Sequence, residues 1–172
     1  MNTFTLDIFD DEGYRCTFYT VKWHDAALSE TDKFFDKFRE HSHLKQPLQE
    51  LAKFLTIVIG DDYGALEDFF RFENQAQALP PAGRYRVGEM TINYVNFPLR
   101  LYCLRISDRL VVLFNGAEKT SATVQGGKTS MVFTEANQFA KRIIDALYDK
   151  EILITRDGRN FNQDGNYTTI NL

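Results

Sequence analysis

The chain has 172 residues, 20 Lys plus Arg against 24 Asp plus Glu for a net charge of -4, and is 44% hydrophobic and 26% charged. That suffices for one domain with a sizeable core and lies outside disordered, collagenous and disulfide-scaffold compositions. The net acidity argues against a surface coated in basic charge for nucleic acid.

Residues 3–9 (TFTLDIF) and 14–23 (YRCTFYTVKW) are rich in Thr, Phe, Tyr and Val and flank Asp10-Asp11-Glu12-Gly13, the pattern of a β-hairpin. Ser29 and Asp32 then give an S-x-x-D helix start, and Phe34, Phe35 and Phe38 fall on one helical face. Pro47 opens a second helix in which Leu48, Leu51, Ala52 and Leu55 recur at helical spacing as far as Gly60. A third short helix is expected over Ala65 to Asn74, ended by Pro80-Pro81-Ala82-Gly83. Three strand-like runs follow, 84–95, 99–107 and 109–115, with Ser107-Asp108 as the tight turn between the last two. Thr134 is the expected cap of a helix striped by Ala136, Ala140, Ile143 and Leu147. An extended segment, Glu151 to Thr155, leads into a polar tail, so that 148–172 reads as a C-terminal extension that adds an edge strand or stays loose. The order ββ, two or three helices, βββ, α, β predicts a single α+β domain over 1–172, with a twisted antiparallel sheet flanked by N-terminal helices and one C-terminal helix.

Two cysteines, Cys16 and Cys103, lie far apart and outside any C-x-x-C pair, which suits reduced thiols. The N-terminal residues carry no signal-peptide pattern and no run reaches the roughly 18 apolar residues of a membrane span, so a cytoplasmic protein without membrane contact is expected.

The charge is unevenly placed. Residues 1–83 hold eight basic and fifteen acidic side chains, 84–128 seven and three, and 129–172 five and six, for balances of -7, +4 and -1. The expected central sheet is therefore the basic part. Strand alternation puts Arg100 and Tyr102 on one face and Arg105 on the other. An arginine in the middle of LRLYCLRIS either meets a carboxylate, with Glu67, Asp68 and Glu73 as candidates, or faces a solvent groove. Other constellations read as structural. His41 and His43 diverge on a helix and lack a third ligand, so no metal is expected. Gly126-Gly127-Lys128-Thr129 lacks the first glycine of a phosphate loop, since Ala122 stands there.

The stretch LRLYCLRISDRLVVLFNGAEKTS, followed by VFTEANQFAKRI, resembles the core of the RelE/ParE superfamily of bacterial toxin-antitoxin proteins, including its HigB-like and phage-derived branches. The shared features are a strand opened by Arg100, the Ser107-Asp108 hairpin, LVVLF, a basic element at Gly116-Ala117-Glu118-Lys119-Thr120, and a closing helix, over about residues 14–147. The resemblance implies a RelE-like fold with a concave basic face, a cognate antitoxin as protein partner and, in cleaving relatives, ribosome-dependent cutting of messenger RNA by its own 2′-OH without metal or cofactor. Such cleavage needs cations for the charge growing on the phosphate and groups that move protons. By the same resemblance Arg100 would stabilise the transition state and Lys119 would hold a phosphate or transfer a proton, while Tyr102 or Tyr94 would stand in for the family's proton-donating tyrosine. Arg84, Arg86, Arg105 and Lys128 would bind RNA. Two positions depart from the pattern: Thr91 and Asn93 occupy the places of a lysine pair, and Phe133 that of a tyrosine. Those departures suit the alternative reading, a non-catalytic toxin-fold module that binds a protein, or one resembling relatives that inhibit gyrase without cutting RNA.

Overall fold

In the computed structural model, residues 3–119, 128–162 and 169–171 are described. The chain is an α+β protein whose main sheet is covered by helices on both faces. Strands β1 (Thr3–Asp10) and β2 (Thr17–Trp23) form the expected antiparallel hairpin, with Phe4 opposite Trp23 and Leu6 opposite Val21. Helix α1 (Glu30–Arg39) starts as the S-x-x-D pattern requires, because the Ser29 hydroxyl accepts from the Asp32 backbone N–H at 3.1 Å. Phe34 and Phe38 face inward from it.

Helix α2 (Lys45–Lys53) follows a short 3-10 turn and does not end at Gly60. It widens into a π-helix over Phe54–Tyr63 and stops at Gly64, whose φ of 77° suits glycine. The Gly60 carbonyl accepts from Arg15 and Cys16 N–H at 2.7 and 3.2 Å, so this helix holds the loop that joins β1 to β2. A Cβ on Gly13 would come within 2.7 Å of the Gly60 carbonyl, which requires glycine at that approach.

The helix expected over Ala65 to Asn74 is absent. A 3-10 turn covers only Glu67–Phe69, and β3 (Arg71–Phe72) then pairs with β4 (Gln77–Leu79), Arg71 opposite Ala78. So short an apolar run cannot offset helix nucleation, and its backbone groups find partners at the sheet instead. The run 84–95 is likewise two strands, β5 (Gly83–Val87) and β6 (Met90–Tyr94), forming a separate ribbon turned at Gly88.

Strands β7 (Leu99–Ser107) and β8 (Leu110–Glu118) form the predicted central hairpin. Helix α3 (Lys128–Tyr148) begins six residues before the expected cap, so Thr134 lies within it. Near the C-terminus Glu151 to Thr155 contributes only a bridge between Ile154 and Phe161, while β9 (Thr169–Asn171) supplies an edge strand against β1.

The sheet order is β3-β4-β7-β8-β2-β1-β9. It is not wholly antiparallel: β2 and β8 run parallel, Thr17 opposite Leu110 through Thr20 opposite Leu113. Five helical segments and the five strands β3 to β7 intervene between those partners, and such a crossover leaves no trace in local spacing. One face packs on α1, α2 and the π-helix through Phe18, Phe34, Phe54, Leu101 and Val111; the other packs on α3 through Phe4, Tyr19, Val112, Phe114 and Phe139. No helix among the described residues is long and apolar enough to cross a membrane.

Candidate functional site

Arg100 opens β7 on the α3 face, opposite Ala117 of β8. Tyr102, two residues on, shares that face, as alternation requires, and its ring meets Phe133 of α3 at 5.7 Å between centroids. Arg71 joins them from β3, because Arg71 pairs with Ala78 and Ala78 with Tyr102 along one row of the sheet. Glu73 follows in the β3–β4 turn. That turn is held to α3 by Asn137, whose side-chain oxygen accepts from Ala76 N–H at 2.8 Å and whose amide donates to the Phe133 carbonyl at 2.9 Å.

The cluster is thus two arginines, one glutamate and a tyrosine beneath a helix. Arg100 is 7% exposed, and its Nη1 donates to the carbonyls of Phe97 and Leu99, both at 3.0 Å. The Arg71 Nε donates to the Pro80 carbonyl at 2.9 Å. Burial lowers the Arg100 pKa, the Arg71 charge lowers it further, and Glu73 and Tyr102 act the other way. Burial also lowers Arg71, against Glu73. The Tyr102 hydroxyl, 5% exposed as a residue, is pushed up by burial and then by Glu73, with Arg100 opposing. Among the described residues Arg100 is thus buried rather than facing an open groove. Its guanidinium ties the start of β7 to the preceding turn, the use of a multi-donor fork that satisfies buried carbonyls.

The remaining site residues scatter. Lys119 is exposed just beyond β8, where its backbone N–H donates to the Pro98 carbonyl at 2.6 Å, one strand from Arg100. Arg105 points to the opposite face, as alternation predicts; its Nε donates to the Ala65 carbonyl at 2.6 Å, and its Nη1 lies 3.7 Å from a Glu67 oxygen, a pairing among the carboxylates the sequence offered. Arg84 and Arg86 are exposed on the β5–β6 ribbon, opposite Asn93 and Thr91. Lys128 is the first residue of α3, and its side chain lies outside the described residues, as do Thr120, Gly126 and Gly127. The +4 balance of residues 84–128 is spread over several directions and forms no single basic face among the described residues. Glu73 is among the carboxylates that the sequence reading offers, whereas Arg71 is not, because FRFEN reads as part of a helix there.

Cys16 and Cys103 are both buried and free. Burial pushes the Cys16 thiol up to about 12 and raises Cys103 well above its usual value. Neither thiol should be alkylated by iodoacetamide near neutral pH in the folded chain, and both should react in denaturant; mass spectrometry of the adducts checks this.

Comparison with protein-family models, with curated proteins and with solved structures finds no match to this chain.

Proposed function

We propose that the chain is a toxin-fold protein of the RelE/ParE kind that acts by binding a protein partner, with a cognate antitoxin as the expected one, and that it does not cut RNA through Arg100 and Tyr102. The toxin-antitoxin part rests on the sequence resemblance around the β7–β8 hairpin. The non-cleaving part is supported by one observation: Arg100 is 7% exposed and its guanidinium is bonded to two backbone carbonyls. A cation that stabilises a phosphorane-like transition state must reach the phosphate oxygens, and a proton donor must reach the leaving oxygen. Tyr102, buried against Phe133 with a raised pKa, meets neither need.

The ribonuclease reading keeps two observations in its favour. Lys119 is exposed one strand from Arg100, and Arg71 adds a second guanidinium whose charge acts on Arg100. Induction of the wild-type chain and of an Arg100→Ala, Lys119→Ala double variant in growing bacteria, with messenger 5′ ends mapped, separates the two. Growth arrest without new messenger ends is the expected result. New ends that vanish in the double variant would overturn the binding reading, and normal growth with abundant folded protein would overturn the toxin reading itself.

A further inference from the structure

The β5–β6 ribbon has two unlike faces. Met90, Ile92 and Tyr94 alternate along β6 with Thr91 and Asn93, and the register carries each set across to β5: Val87 lies opposite Met90, Arg86 opposite Thr91 and Arg84 opposite Asn93. The inner set packs on the helical layer. Ile92 is 3% exposed, Tyr94 meets Phe54 of the π-helix edge-on at 5.3 Å, and Val87 and Met90 join the same core. The ribbon is anchored without using its other face, where Arg84, Arg86, Thr91 and Asn93 are all exposed.

That outer face carries two cations and no carboxylate. Among the described residues neither Arg84 nor Arg86 has a hydrogen bond or an ion pair. Arg71, Arg100, Arg105, Arg109 and Arg159, by contrast, each donate to a backbone carbonyl. The backbone is open as well. β5 pairs with β6 alone and belongs to no larger sheet, so its outer edge has no strand beside it among the described residues. Unpaired N–H and C=O groups along such an edge are a template for a further strand.

We infer that the outer edge of β5 takes an extended acidic segment of a protein partner, added to the ribbon as a third strand. The inference rests on the binding reading above and gives the partner a chemistry. A strand laid beside β5 brings side chains two residues apart next to Arg84 and Arg86, at about 4.5 to 5.5 Å between Cβ atoms. Carboxylates at that spacing, an acid-x-acid pattern, pair with both arginines, and the guanidinium fork suits a carboxylate bidentately. A neutral or basic strand leaves the two cations side by side without a counter-ion. RNA fits the same strip poorly. Two cations neutralise few phosphates against a net charge of -4, and none of the four outer residues is an aromatic on which a base could stack.

The test is a titration of the isotopically labelled full-length chain with a synthetic peptide of alternating Glu and Thr, followed through the backbone amide resonances. Shifts centred on β5, with amide exchange slowed along that strand, are the expected result. A peptide with Gln in place of Glu should bind about tenfold more weakly, and so should the acidic peptide to an Arg84→Gln, Arg86→Gln double variant, as two exposed charge pairs allow. Both substitutions lie on the solvent face, so the variant's resonances away from the ribbon should match the wild type. No shift at β5 with the acidic peptide at millimolar concentration, equal binding of the Gln peptide, or unchanged binding by the double variant would overturn the inference. A uridine oligonucleotide that binds through the same two arginines more tightly than the peptide would overturn it too. The induction experiment separates the two levels. No shift at β5, with growth arrest and no new messenger ends, removes this site alone, whereas new ends that depend on Arg100 and Lys119 remove the binding reading whatever the peptide does.

Discussion

Replacing Gly116 by valine should cost at least about 3 kcal/mol of folding stability and is expected to leave much of the chain insoluble. Gly116 lies in β8 opposite Leu101. A Cβ there would stand well inside van der Waals contact with the Arg100 carbonyl oxygen and 2.7 Å from the Phe34 ring of α1. Neither neighbour can yield: one is strand backbone in the middle of the sheet, and the other is a fully buried ring at the centre of the helix-covered face. The glycine thus lets α1 close on the sheet beneath the strand that carries Arg100, so the substitution should disturb the Arg100 cluster as well as the core. Urea unfolding of the soluble fraction checks it, and a variant within about 1 kcal/mol of wild type would mean that the approach of α1 to β8 has been misjudged.

Phe139→Ala should have an effect of similar size, about 3 to 5 kcal/mol. Its ring is 1% exposed as a residue and packs at 4.9 Å on both Phe4 and Trp23 and at 5.5 Å on Phe114, so truncation opens a void between α3, both hairpin strands and β8. Met131, 75% exposed near the start of the same helix, is the control: Met131→Ala should change stability by no more than about 0.5 kcal/mol. Equal losses at the two positions would contradict the assigned face of α3.

These two residues also mark where sequence reasoning reached and where it stopped. The 3.6-residue stripe of Ala136, Ala140 and Ile143 was visible because helical burial is periodic, and the same holds for Phe34 and Phe38. The β1–β2 and β7–β8 hairpins were visible because each has local turn chemistry between apolar runs. The parallel pairing of β2 with β8 had no such signal, since its partners are joined only through the whole middle of the chain. The widening of α2 into a π-helix from Phe54, and its run past Gly60 to Tyr63, had no local signal either; the Gly60 carbonyl there meets Arg15 and Cys16, partners remote in sequence. At the candidate site, alternation separated Arg105 from Arg100 and Tyr102 correctly. What it could not supply was depth. Arg71 arrives from a two-residue edge strand and Glu73 from the turn after it, α3 covers the row, and the carbonyls of Phe97 and Leu99 occupy the guanidinium. Residue type and parity place a cation on a face, whereas whether that face is open depends on which element packs over it.

Arg100 is a buried, carbonyl-bound cation, and the proposed mode of action is binding rather than cutting of RNA. Its most direct test is to incubate the purified chain with ribosomes stalled on a defined messenger and to read the messenger ends by primer extension. Intact messenger with the wild-type chain, under conditions in which it remains folded, is the result expected. A cut at the ribosomal A site that Arg100→Ala abolishes while leaving the fold intact would contradict the account and restore Arg100 as a catalytic residue.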